Sequence, residues 1–237
     1  MKNLQNCGAL ILLMIYSVNV FSQDTSTKDE RTMNPFSSIE ASGIAQVYLT
    51  KGNEEKVVVD INVKSLRDRV KIRVQGTTLQ IKFEDRNGYR NEFNDVKLKV
   101  YVTYKSLAKI TGSGATTFHT ENAIKADKFV VDLSGANNTT LDLDVDELDV
   151  ETSSASNATL SGKANKLHVE ASSASNIKAY ALKAIDVKVE TSGVSNANVV
   201  ADKTININAS GLSNINYRGD AQVVTKEVSK MANAHKH

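Results

Sequence analysis

A five-residue cluster recurs along the second half of the chain, at a spacing too short for a domain and too regular for unrelated loops. Its copies are Ser113-Gly114-Ala115-Thr116-Thr117, Ser134-Gly135-Ala136-Asn137-Asn138 and Ser153-Ser154-Ala155-Ser156-Asn157. They continue as Ser172-Ser173-Ala174-Ser175-Asn176, Ser192-Gly193-Val194-Ser195-Asn196 and Ser210-Gly211-Leu212-Ser213-Asn214. Successive first serines are 21, 19, 19, 20 and 18 residues apart. The flanks keep register with the cluster. Five and three residues before the serine stand Phe129 and Val131, Leu148 and Val150, Leu167 and Val169, Val187 and Val189, and Ile205 and Ile207. Five and seven residues after it stand Thr139 and Leu141, Ala158 and Leu160, Ile177 and Ala179, Ala197 and Val199, and Ile215 and Tyr217. Mostly polar residues alternate with them, which is the period of a strand with one dry face.

Two short strands and two turns in about twenty residues cannot bury a face alone, but stacked copies cover one another. The repeat therefore predicts a parallel β-helix-like solenoid over 106–219, with six rungs spanning roughly 25–30 Å at ordinary strand spacing. Ser, Gly and Asn fall where the chain turns, since Gly accepts positive φ freely and Asn better than most residues. Asn at one place in successive rungs is also suited to an amide ladder. An antiparallel sandwich with similar hairpins is the competing arrangement. A seventh copy, Ser42-Gly43-Ile44-Ala45-Gln46, stands isolated near the start.

The rest of the all-β reading follows from pattern. Residues 36–105 form an N-terminal layer of paired strands, with Val70, Ile72 and Val74 alternating with Lys71 and Arg73 before a turn at Gly76-Thr77 and a return through Leu79, Ile81 and Phe83. Val96 to Tyr104 alternates as another strand, and Glu84 to Asp95 is a long polar loop. Residues 23–35 read as a polar linker and 220–237 as a C-terminal cap and tail. Trp is absent and the 237 residues hold 7 Tyr and 6 Phe, so the core is aliphatic and fits thin stacked layers.

The N-terminus has the layout of a secretory signal over 1–22: Lys2, an apolar run from Ala9 to Tyr16, then Val20-Phe21-Ser22 before cleavage at Gln23. A retained membrane anchor is the alternative. Cys7 precedes the apolar run, the wrong side for lipidation. After cleavage the chain holds no cysteine, hence no disulfide, and no integral membrane span. A net charge of +2, with Lys interspersed among Asp and Glu, offers no basic block for nucleic acid.

Candidate chemistry is sparse. Asp142, Asp144, Asp146, Glu147 and Asp149 form an acidic run of the type that holds a hard cation when its oxygens converge; otherwise it is a solvated strand and turn. An EF-hand is excluded, because Glu147 stands where that loop needs Gly. Arg218-Gly219-Asp220 matches an integrin-binding tripeptide, a match that arises often by chance. His119 and His168 lack metal-ligand spacing, and His235 and His237 sit in the expected mobile tail. No nucleophile–base set, zinc signature or phosphate loop appears, so no catalytic residue, metal ligand or cofactor is expected.

The Ser-Gly-x-Ser-Asn iterations, the opening Phe36-Ser37-Ser38-Ile39-Glu40-Ala41-Ser42-Gly43 and the closing Tyr217-Arg218-Gly219-Asp220 resemble the exported bacterial auto-transporter adhesin family of the head-GIN-domain type, over about 36–228. The resemblance implies an exported β-helical domain and carries over no site residue. Lys230 to His237 departs from the Ser-Gly pattern expected there. The expected function is an exported, non-catalytic interaction protein, adhesin-like, binding glycan or protein at the cell envelope, on the surface or in the periplasm. A carbohydrate-active β-helix enzyme and a periplasmic structural or envelope-stress component are the alternatives. Arg is absent between Arg90 and Arg218, which argues against an Arg-dependent lyase site on the repeat.

Overall fold

Alternation along a strand gives every rung a wet and a dry side, and the dry sides must meet. The computed structural model describes residues 27–84 and 95–237. The expected signal peptide, Cys7 and most of the Glu84–Asp95 loop lie outside the described residues. The described residues are 70% strand and 3% helix, wound as a β-solenoid of about 7 turns.

The repeats supply β10 (Ile124–Gly135), β11 (Asn138–Thr152), β12 (Asn157–Ala171), β13 (Asn176–Thr191) and β14 (Asn196–Ala209). Each pairs in parallel with the next. Val131, Val150, Val169, Val189 and Ile207 lie in register across them, all buried, as the spacing predicts. The two short strands expected in each repeat are one continuous strand that bends part-way. Gly162 shows why the bend is tight: it holds φ +102°, and a Cβ there would lie 2.0 Å from the Leu143 carbonyl oxygen.

The coil extends beyond 106–219 at both ends. At the start lie β2 (Ser38–Gly43), β3 (Ala45–Lys51), β4 (Lys56–Ile61), a 3-10 turn over Lys64–Arg69, β5 (Val70–Gln75), β6 (Thr78–Phe83), β7 (Leu98–Tyr104), β8 (Lys109–Gly114) and β9 (Thr117–Thr120). β2 is parallel to both β6 and β8, and β3 to both β7 and β9. Ser42 and Gly43 therefore align with Ser113 and Gly114, so the isolated seventh copy is a rung in register. After β3 the chain leaves the coil. It lays β4 antiparallel on β7, forms the β5–β6 hairpin through Gly76-Thr77, and rejoins. These antiparallel pairs close the N-terminal end.

Two readings need correction. The linker assigned to 23–35 contains β1 (Thr27–Thr32), antiparallel to β4. It is an edge strand of polar residues, held by backbone pairing and by ion pairs such as Lys56 to Glu30 at 2.7 Å, so no apolar period betrays it. The segment assigned to 220–237 as a C-terminal cap and tail is a further rung of the coil at its C-terminal end, with no mobile tail among its strands. β15 (Asn214–Arg218) leads to β16 (Gln222–Val228), parallel to β14, and to β17 (Asn233–Lys236), parallel to β15. No described rung covers the far side, so Val223, Val224 and Val228 remain exposed.

Candidate functional site

The recurring cluster forms a corner, and its five positions have separate tasks. The second needs positive φ: Gly193 and Gly211 hold +71°, while Ser154 and Ser173 hold +63° and +62° without being glycine. The third, although apolar, points outward: Val194 is 58% exposed and Leu212 55%. The fourth, although polar, points inward. Thr116, Asn137, Ser156, Ser175, Ser195 and Ser213 are all fully buried. Burying a hydroxyl without a partner costs about 1–3 kcal/mol, and here each finds one. Ser175, Ser195 and Ser213 donate to the carbonyls of Ser172, Ser192 and Ser210 at 2.8, 2.9 and 2.7 Å. The fifth position is the predicted amide ladder. Asn157, Asn176, Asn196, Asn214 and Asn233 each donate from Nδ2 to Oδ1 of the Asn one rung earlier, at 3.0–3.2 Å.

The acidic run is not convergent. Asp142 is exposed, Asp144 lies between Lys125 and Lys163 at 3.7 and 3.1 Å, and Asp146 accepts from Asn165 at 2.8 Å. Glu147 meets Lys166 at 2.7 Å, and Asp149 meets Lys128 at 2.6 Å. The Lys166 ammonium holds the Glu147 carboxyl below its ordinary range, and Asp149 raises Lys128. Charges thus pair between rungs instead of converging on one point. Among the described residues no group of three or more His, Cys, Asp or Glu is placed to hold a metal ion.

The remaining candidates fall apart in space. Arg218 lies over the Tyr180 ring at 4.1 Å, and Gly219 makes a second tight bend at φ +99°. His119 stacks at 5.4 Å on Tyr48, which stacks on Tyr101 at 5.0 Å. His168 approaches Glu190 at 3.2 Å and Asp149 at 3.8 Å. His235 and His237 are in the last rung, not in a mobile tail; the His237 ring is 3.2 Å from Asn216 Oδ1. On the same lateral face as His168, Asp132, Glu151, Glu170 and Glu190 stand in register, a column of like charges. Lys109 meets Asp132 at 3.5 Å and Lys188 meets Glu190 at 3.0 Å, while Glu151 and Glu170 form no ion pair among the described residues.

Sequence reasoning missed a cleft of about 580 Å³ in the N-terminal closure. It is lined by Arg31 of β1, Arg67 of the 3-10 turn, Lys71 and Arg73 of β5 and Lys82 of β6. Arg31 and Arg67 share one carboxylate, Asp29, at 2.5 and 3.1 Å, which holds the Asp29 carboxyl below its ordinary range. Arg73 donates to the neutral amides of Gln80 and Gln75 at 2.9 and 3.5 Å. Lys71 donates to the Asp68 carbonyl at 2.7 Å. Only the wet faces of β5 and β6 were legible as basic; the convergence depends on β1 and the turn.

These features define a β-solenoid with corner ladders and a strand-built N-terminal closure. The chain belongs to the family described as "Putative auto-transporter adhesin, head GIN domain", whose model matches residues 35–221. No curated protein matches it. Among solved structures, a "putative adhesin" from Bacteroides fragilis NCTC 9343 is similar at TM-score 0.80 and 20% identity, over 90% of this chain and 97% of that one. A "putative adhesin" from Parabacteroides merdae ATCC 43184 is similar at 0.68 and 18%, over 91% and 97%. A "putative lipid binding protein" from Parabacteroides distasonis ATCC 8503 is similar at 0.69 and 16%, over 90% and 98%. These likenesses establish the fold.

Proposed function

We propose that the protein is exported and acts without catalysis as an adhesin-like binding module at the cell envelope, engaging a glycan or a protein. The observation that carries the reading is the outward surface of the coil. Thr140, Thr159, Lys178, Asn198 and Asn216 repeat in register along one face. The backbone of each rung is fixed by its neighbours, so the polar groups are held at strand spacing and lose little freedom on binding. A partner with repeating hydroxyls or amides meets a matching series of donors and acceptors. The signal-like N-terminus supports export, and among the described residues no helix is long and apolar enough to cross a membrane.

Protease shaving of intact cells tests the location. Loss of the protein from protease-treated intact cells supports surface display. Protection until the outer membrane is opened refutes the adhesin reading and leaves a periplasmic role.

A further inference from the structure

We infer that the N-terminal cleft binds an acidic saccharide, a sugar chain carrying carboxylate or phosphate groups. Among the described residues five cationic side chains and two carboxylates, those of Asp68 and Glu84, line it, and Asp29 pairs with Arg31 and Arg67 beside it. The arrangement is one a fold avoids unless an anion offsets it. Lys71 stands directly across from Lys82 in the antiparallel β5–β6 pair, and like charges in opposed positions destabilise a sheet. Lys82 has Glu40 at 3.6 Å, but among the described residues the side chains of Lys71 and Arg73 form no ion pair with a carboxylate. Arg73 is already oriented by Gln80, so its planar fork meets a carboxylate or phosphate with little further ordering.

The rest of the lining narrows the ligand. The volume of about 580 Å³ exceeds what a bare anion fills and lies in the range of small-molecule sites. Among the described residues no aromatic side chain lines the cleft to stack a nucleobase. Acceptors are interspersed with the cations, so that Asp68 can accept hydrogen bonds from hydroxyls while Arg73 and Lys71 donate to the anionic group. β5 pairs only with β6 among the described residues, so its outer edge adds free backbone groups. Cations, acceptors and edge amides together suit a polyhydroxylated acid. The inference rests on the proposed binding role but not on surface display.

Isothermal titration of the purified full chain with oligogalacturonate tests it. The same oligosaccharide fully methyl-esterified, glucose 6-phosphate and inorganic phosphate are the other probes. The expected result is saturable binding of oligogalacturonate, at least tenfold weaker for the methyl ester, weakened by salt, and at least tenfold weaker in Arg73→Gln and Lys71→Gln variants whose thermal midpoints are not lowered. Binding of glucose 6-phosphate lost in the same variants identifies sugar phosphate as the source and also supports the cleft. Equal binding of the ester, undiminished binding in both variants, or binding of inorganic phosphate alone overturns the proposal. Shortening of the oligosaccharide during titration, seen by chromatography, refutes the non-catalytic reading and not the cleft.

Discussion

The second position of the corner offers a paired test in which adjacent rungs respond with opposite sign. Ser173 holds φ +62°, and Gly193 directly above it holds +71°. A left-handed conformation costs an L-residue about 1–2 kcal/mol. Glycine avoids that but loses about 0.5–1 kcal/mol through its extra freedom when unfolded. Ser173 is exposed and its hydroxyl makes no hydrogen bond among the described residues, so little is lost with the side chain. Ser173→Gly should therefore stabilise by about 0.5–1 kcal/mol. At 2–4 °C per kcal/mol for a chain of this size, that is a rise of about 1–4 °C in the midpoint.

Gly193→Ser runs the other way and meets a second obstacle. Its Cβ would lie 2.7 Å from the Ser173 carbonyl oxygen and 3.0 Å from the Ser173 nitrogen and Cα. Those are backbone atoms held by the rung pairing, so the corner must distort. Conformation and overpacking together should cost about 2–4 kcal/mol. Urea unfolding followed by circular dichroism reads both variants, with the m-value checking that the coil still unfolds as one unit. If Ser173→Gly destabilises as strongly as Gly193→Ser, corner conformation does not govern these positions and the reasoning fails.

Three further outcomes are expected. Val169→Asp should cost several kcal/mol, because it places a charge in the fully buried column between Val150 and Val189, whereas His168→Ser on the outward side should change stability by less than about 0.5 kcal/mol; matching urea midpoints would refute the register. Glu170→Lys should stabilise by about 0.5–2 kcal/mol by turning two like-charge contacts, with Glu151 and Glu190, into opposite ones, and a lowered midpoint at low salt would count against the column. Tyr104 is buried, its hydroxyl has no hydrogen-bond partner among the described residues, and desolvation raises its pKa from 10.0 to about 12. Between those values the unfolded chain has released the proton and the folded chain retains it, so stability falls as pH rises from 10 to 12. Tyr104→Phe should raise stability by about 1 kcal/mol at neutral pH and flatten that alkaline loss, and an unchanged pH profile would refute the assignment.

What could be read from residues alone followed from how each element is stabilised. The inner columns were legible because stacking demands one side-chain type at one register, and the β-branched column of Val131, Val150, Val169, Val189 and Ile207 obeys that demand from rung to rung. At the corner the same logic inverts. The chain reverses within three residues, so strict alternation lapses, and the outward place goes to Val194 while Ser195 turns in to saturate a carbonyl. An expectation that apolar means buried assigns both residues to the wrong side. The last rung was concealed by composition, yet Ser229 follows Ser210 by the 19-residue period, and Asn233 stands in register with Asn214. Its signal was positional, in the first and last residues of a corner whose middle had drifted. The basic cleft had no such signal. Arg31 and Lys82 are 51 residues apart, and what unites them is an antiparallel excursion outside the repeat. A repeat announces itself because every copy must solve the same packing problem. A closure solves its own problem once, so its surface is free of the register that constrains the coil, and a ligand-specific arrangement can be built there without disturbing any rung.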